Sequence, residues 1–442
     1  MNDGIAVSAR FDRGLVSEGG DSIRYLYVEL NAAPADAEAE TMASSPLNLA
    51  LVIDSSRSMV GERLHAALQA AADIIEGLDA SDFISIVSFS DTALVHARGI
   101  SCDAEGKQKA FDALRTICLR AGTNISEGWF SGAECVGTVM LDHSNCKNHV
   151  LMLSDGHANQ GTLEPAALVL HATELQKRGV TASAVGVGEG YSTAQLYAIA
   201  QHGGGRIHHA THPPEIVEVV LGELDDLRAR TVENLVVKIS FPETATLKSL
   251  NIIPCQVEAD HARCVFGGMS AGSSRAAVFR VGTNAGNMDE LVELRIEVSW
   301  RNCGQPLLMR APVCKASLVY ANLEKNAMQA IDSATAFSIS KSWQSWIVWQ
   351  ATNLNRLKDW TRLERMLSRE LKYFRRFCRT VPGAIILLNE LEELNKVSHY
   401  DWGETSRKEI QTSTYTTSYN IKDSRSGSRK WQDYTGEFKA RC

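Results

Sequence analysis

Between Leu47 and Thr231, short apolar runs alternate with segments whose apolar residues recur at helical spacing. That alternation narrows the available folds more than any other feature of the chain. "LNLALVID", Leu47 to Asp54, reads as a strand buried on both faces; Leu64, Leu68, Ala71, Ile75 and Leu78 then repeat as one face of a helix. Phe83 to Ser90 and Ala93 to Ile100 are strands separated by a short turn, hence antiparallel neighbours. Helical segments follow at Lys107 to Leu119 and Ser126 to Leu141, then the apolar strand "NHVLMLS" at 148–154. A helix from Glu164 to Arg178, a strand from Val180 to Val187 and a short helix near Thr193 to Ala200 come next. The strand Arg206 to Ala210 and a helix from Pro214 to Arg228 complete the series. Such a series packs as a mainly parallel sheet with helices on both faces, so residues 47–231 are expected to form a doubly wound α/β domain.

On either side the apolar period becomes two. Ile5 to Phe11 and Ile23 to Leu30 read as strands, as do Leu235 to Phe241, Leu247 to Ile253, Ala276 to Val281 and Leu291 to Trp300. Each sandwich strand needs a partner, so the leading strands (1–46) are expected to pair with the later ones (232–320), making the α/β unit an insertion into a β-sandwich. "NAAPADAEAETMASSP" would be the exposed crossover. From Leu323 to Val397 helical signals return with four tryptophans, giving a small helical domain at 321–398. Within it Leu363, Leu367, Leu371, Phe374 and Cys378 form an apolar stripe under a basic surface that runs from Arg362 to Arg379. Such a helix suits an acidic partner or a membrane surface, although a solvated face on a packed helix is the commoner case. Residues 399–442 are polar and Ser/Thr-rich and are expected to be a flexible tail.

Composition excludes several classes. The net charge of -7 argues against a nucleic-acid partner. No run of about 18 apolar residues could cross a bilayer and the first residues lack a signal pattern, so a cytosolic chain is expected. The ten cysteines include no CxxC pair, and most are expected to be small core residues in a reducing compartment. No phosphate-binding loop of the G-x-x-x-x-G-K-[ST] type exists.

Asp54 closes the first strand of the α/β series and Asp155, in "LMLSDGHANQG", closes the fourth. In a sheet ordered 3-2-1-4-5-6 those strands are neighbours where the winding reverses, and a ligand crevice opens there. Ser56 and Ser58 lie on the turn leaving Asp54, and Thr123, in "RAGTNISEG", on a loop before a helix. All five groups offer oxygen, as a hard divalent ion such as Mg²⁺ requires, and hydroxyls ligate without adding charge. Two carboxylates leave the ion electrophilic. An arginine bridged to either aspartate, or the two pointing apart, would sink this reading. The plainer account of "DSSRSM", helix capping, explains one stretch and not the second acid.

This constellation resembles the metal-ion-dependent adhesion site of the von Willebrand factor A domain. The family's D-x-S-x-S reads Asp54, Ser56, Ser58; its loop threonine falls on Thr123, and its second aspartate on Asp155, followed by Gly156. The resemblance covers about Leu47 to Arg228 and implies Mg²⁺, with Mn²⁺ or Ca²⁺ as substitutes, presented to a Glu or Asp of a protein partner. An A domain interrupting a β-rich region is similar to inter-alpha-trypsin-inhibitor heavy chains and many bacterial A-domain proteins. A non-enzymatic binding module is therefore expected. A subunit of an ATPase-driven, chelatase-type complex and a metal-dependent hydrolase, with His157 as its base, are the alternatives.

Two further patterns are set aside. Gly268-Met269-Ser270-Ala271-Gly272 fits G-x-S-x-G, but a strand follows it instead of a helix, so a hairpin turn is expected. His208 and His209 point to opposite faces of a strand, which spoils shared zinc ligation with His212.

Overall fold

The computed structural model describes residues 4–34, 45–156, 158–188, 193–210, 212–305, 307–419 and 430–440. It opens with β1 (Ile5–Phe11), β2 (Leu15–Ser17) and β3 (Ser22–Ala32). An alternating series follows: β4 (Leu47–Asp54), α1 (Glu62–Gly77), β5 (Phe83–Phe89), β6 (Ala93–Ser101), α2 (Ala104–Arg115), α3 (Ile125–Asp142) and β7 (Lys147–Ser154). It continues through α4 (Pro165–Lys177), β8 (Val180–Val187), α5 (Thr193–His202), β9 (Gly204–Ala210) and α6 (Pro213–Ala229). The six strands form one sheet ordered β6-β5-β4-β7-β8-β9, which is the expected 3-2-1-4-5-6 winding. Only the β5–β6 pair is antiparallel.

Both faces of that sheet are covered. Leu49, Leu51 and Ile53 pack with Ala67, Ala70 and Ile74 of α1 and Val220 and Leu224 of α6. Ala50 and Val52 pack with Trp129 and Val136 of α3. A Cβ on Gly132 would stand 2.5 Å from Val52 Cγ2, so a glycine there lets α3 lie hard against β4. The loop that carries Thr123 leads directly into that helix.

Past α6 the chain forms β10 (Arg230–Ser240), β11 (Ala245–Ser249), β12 (Cys255–Val257), β13 (His261–Ser270), β14 (Ser274–Thr283), β15 (Leu291–Asn302), β16 (Leu308–Arg310) and β17 (Cys314–Ala321). The leading strands do pair with these: β3 runs antiparallel to β14, and β2 parallel to β17. The result is a sheet ordered β1-β3-β14-β11 packed on a second ordered β12-β13-β10-β15-β17-β2, with β16 paired to β15. Leu26, Val28 and Phe279 from one meet Val237, Ile239, Leu294 and Ile296 from the other in a single core. The α/β sheet is thus inserted between β3 and β10. The crossover expected to join them falls largely at 35–44, outside the described residues. Gly268 and Met269 lie in β13, and Ser270 leads into the hairpin to β14, as expected.

Helices α7 (Leu323–Met328), α8 (Ser333–Arg356), α9 (Trp360–Cys378), α10 (Ile385–Lys396), α11 (Glu404–Tyr419) and α12 (Trp431–Ala440) complete the chain. They cover the outer face of the smaller sheet, where Tyr25 lies 5.0 Å from the Trp343 ring and 4.7 Å from Phe377. Trp349 on α8 reaches Tyr197 on α5, ring centroids 5.7 Å apart, and so joins the helices to the α/β unit.

Two expectations are corrected. The segment 399–442 is not a flexible tail over its first half: 404–419 is helix α11, with Ile410 and Thr414 fully buried, and Trp402 before it is buried too. Nor are the cysteines all free thiols, because Cys255 and Cys264 face each other across β12 and β13 and are joined as a disulfide. Cys442 lies outside the described residues.

Candidate metal centre

β4 and β7 run side by side and parallel, so their carboxyl ends deliver Asp54 and Asp155 to the same edge of the sheet. Both are buried, at 0 % and 3 % exposure. The turn leaving β4 folds back at once: Ser56 N donates to Asp54 Oδ1 at 2.8 Å, which fixes that carboxylate. Ser154 Oγ holds its other oxygen at 2.6 Å. The hydroxyls of Ser56 and Ser58 lie 2.9 Å apart, and Ser58 Oγ donates to Asp155 Oδ1 at 2.7 Å. Asp54, Ser56, Ser58 and Asp155 are therefore linked in one hydrogen-bonded chain.

Thr123 joins it from a third loop. A Cβ placed on Gly156 would stand 3.4 Å from both Asp54 Oδ2 and Thr123 Oγ1, so these two oxygens flank one small cradle that any larger residue would fill. Thr123 is held there by a reciprocal pair with Asn159: its N–H donates to Asn159 Oδ1, and Asn159 N–H to its carbonyl, both at 3.0 Å. Further backbone bonds stitch the loops together, Arg120 N to Ser55 O at 2.8 Å and Asn124 N to Ser90 O at 2.6 Å. These bonds tie the loops together, and the donor chemistry suits a hard cation: five oxygens, four of them on buried residues, with Ser58 exposed at the mouth.

One contact opposes that fit. Arg63 Nη1 bridges Asp155 Oδ2 at 2.7 Å, the arrangement that counts against five donors standing ready for an ion. A guanidinium in this place, half in solvent, offsets part of the negative charge of the two neighbouring carboxylates. The Arg63 side chain is 46 % exposed and enters from the rim, whereas the Asp155 carboxylate is fully covered. Burial, with the Asp155 charge adding to it, pushes the Asp54 carboxyl above its ordinary value; the hydroxyls of Ser154 and Ser56 offset this in part.

Residues 48–220 match the family model of the von Willebrand factor type A domain. The chain carries a von Willebrand factor A domain. Over 124 residues it is 29% identical to inter-alpha-trypsin inhibitor heavy chain H3 of Homo sapiens, a match that covers 27% of this chain and 14% of that protein. The chain thus spans a small part of the heavy chain's length. Two solved structures share the architecture across nearly the whole length of both chains. The von Willebrand factor type A protein from Catenulispora acidiphila superposes with a TM-score of 0.68 at 16% identity, covering 95% of this chain and 97% of its own. The ArnB paralog VWA2 from Sulfolobus acidocaldarius does so with a TM-score of 0.57 at 16% identity, covering 94% and 99%. At such identities the likeness is one of fold. A domains commonly mediate protein–protein interaction and typically bind a divalent metal at their adhesion site.

Sequence reasoning missed three residues of this A-domain site: Ser154, Asn159 and Arg63. Ser154 and Asn159 sit within the quoted "LMLSDGHANQG", but strand parity and loop closure decide their aim. Arg63 carried a faint signal, since a basic residue in the first turn of a helix opposes the helix dipole and asks for a reason. His157 lies outside the described residues. His208 and His209 diverge as expected, His208 to Glu223 at 2.7 Å and His209 toward Glu409 at 3.8 Å. Among the described residues no helix is long and apolar enough to cross a membrane.

Proposed function

We propose that this protein is a non-enzymatic, divalent-metal-dependent protein-binding module. Asp54, Ser56, Ser58, Thr123 and Asp155 would hold Mg²⁺, or Mn²⁺ or Ca²⁺ in its place. When bound, the ion supplies an electrophilic position that a partner's Glu or Asp carboxylate can take. The observation that carries this reading is the meeting of five oxygen donors from three loops at the shared edge of β4 and β7. Ser56 N–H and Ser154 keep Asp54 aimed, Asn159 holds the Thr123 loop, and exposed Ser58 marks the side from which a partner approaches. In this proposal the A domain (47–231) carries the site, while the β-rich parts (1–46 and 232–320) and the helices (321–398) position it.

A second reading rests on Arg63. There the guanidinium is itself the resident cation, and the rim binds a partner without metal. Titration of the purified protein with Mn²⁺ separates the two. Saturable binding that falls at least about tenfold in Asp54→Ala, together with partner capture reversed by chelator, is the expected result. Equal Mn²⁺ uptake by both proteins would overturn the metal reading, and capture that persists in chelator would favour the arginine. A hydrolase or an ATPase-coupled subunit would instead reveal itself by turnover or by a co-purifying nucleotide hydrolase.

A further inference from the structure

A cavity of about 460 Å³ lies between α9 and α8, away from the A domain's strand ends. Lys248 of β11, Trp346 and Leu354 of α8, and Arg362, Arg365 and Arg369 of α9 line it. The three arginines stand at i, i+3 and i+7, one face of the helix, and like charges at that spacing repel, an arrangement stability alone does not select.

Their charge is not answered inside the protein. Among the described residues neither Arg362 nor Arg365 forms an ion pair, and the lining contains no acid. Arg369 reaches only Glu370, at 3.4 Å. That carboxylate is fully buried and already committed to Lys248 at 2.9 Å, Arg280 at 2.8 Å and the Trp343 Nε1–H at 3.1 Å. Three cations thus share one carboxylate, and among the described residues Arg362 and Arg365 have none. The floor is apolar: Trp346 and Leu354 are 8 % and 7 % exposed, with Lys248 Nζ 4.7 Å above the Trp346 ring. The volume falls within the range of small-molecule sites, about 300–1,000 Å³.

We propose that this cavity binds a small organic phosphate, a di- or triphosphate ester whose flat body rests on the Trp346–Leu354 floor while Arg362, Arg365 and Lys248 take the phosphoryl oxygens. A monocarboxylate would answer one charge of the excess; a diphosphate answers several, and arginine forks match phosphate oxygens in pairs. The site does not depend on the metal reading of the A domain.

Calorimetric titration of the full chain with ADP and with pyrophosphate, in EDTA, tests this without involving Asp54 or Asp155. ADP is expected to bind saturably and more tightly than pyrophosphate. The double variant Arg362→Ala/Arg365→Ala should weaken ADP by about tenfold or more. Lys372→Ala/Arg376→Ala removes the same charge from exposed positions of α9 outside the cavity and should shift binding by less than about twofold. All four side chains are exposed, so unchanged melting temperatures are expected for both variants. Absence of ADP binding, equal loss in the two variants, pyrophosphate binding as tight as ADP, or binding only to vesicles of phosphatidylcholine with anionic phospholipid would each overturn the proposal.

Discussion

At the carboxyl ends of β4 and β7, Asp54 and Asp155 are held by hydroxyls, a backbone N–H and one half-exposed arginine. On the same sheet, on its α1/α6 side, Glu223 of α6 is held by Ser183 Oγ at 2.6 Å and His208 Nε2 at 2.7 Å, with His149 Nε2 at 3.9 Å. Both clusters are built from carboxylates that folding removes from water, and a buried charge must find partners in either case. The difference lies in where the partners come from. Glu223 draws all of them from the core of the fold; burial pushes its carboxyl up, but His208 and Arg206 outweigh this and hold it well below the usual range. Asp155 draws one partner, the half-exposed Arg63, from the rim. The Glu223 cluster is enclosed in the scaffold, and the Asp54–Asp155 cluster is the one that the proposed function takes to be open to exchange.

If Glu223 is scaffold, Glu223→Ala should cost about 3–5 kcal/mol, since it strands Ser183 and His208 in the core. Urea denaturation measures this, and a loss below about 1 kcal/mol would erase the contrast. His149 sharpens it through pH. Burial holds the ring down to about 3, so it stays neutral in the folded protein, while the unfolded chain takes a proton below about 6.5. The unfolded state then binds more protons, and stability falls as pH drops from 6.5 toward 3, by on the order of 3 kcal/mol at pH 4. In His149→Gln that part of the slope should vanish when denaturation is compared at pH 7 and pH 4. The smallest effect on folding belongs to the rim. Arg63→Ala is expected to change metal-free stability by less than about 1 kcal/mol, because its guanidinium is half in solvent. Mn²⁺ affinity should rise several-fold in the same variant, and an unchanged affinity would mean that Arg63 does not compete for Asp155.

The α/β winding was legible because its central strands β4, β7 and β8 are buried on both faces, so their apolar runs carry no ambiguity. The site was legible for a related reason: strand ends in such a sheet place Asp54 and Asp155 together whatever the loops do. β13 was passed over because Gly267 and Gly268 interrupt "HARCVFGGMS", although it is the strand to which both β10 and β12 pair. Helix α11 was passed over because "TSTYTTSY" has the composition of a solvated tail. There tertiary burial overrides propensity: Thr412, Thr414 and Thr416 satisfy their hydroxyls on carbonyls one turn back. Arg407, at 5 % exposure, is anchored on Asn355 Oδ1 at 3.0 Å and paired with Asp401. The disulfide joins cysteines nine residues apart that become cross-strand neighbours only once β12 and β13 pair.

By itself the sequence determined that Asp54 and Asp155 meet at the crevice with Ser56, Ser58 and Thr123 near them, since side-chain chemistry and strand order are local and periodic properties. The tertiary structure decided what those atoms do to one another: that Ser58 donates a hydrogen bond to Asp155, that Asn159 ties down Thr123, and that Arg63 reaches across the rim to the one carboxylate oxygen left unpaired. The aim of a long flexible side chain depends on the charges that surround it after folding, and no spacing in the chain encodes those.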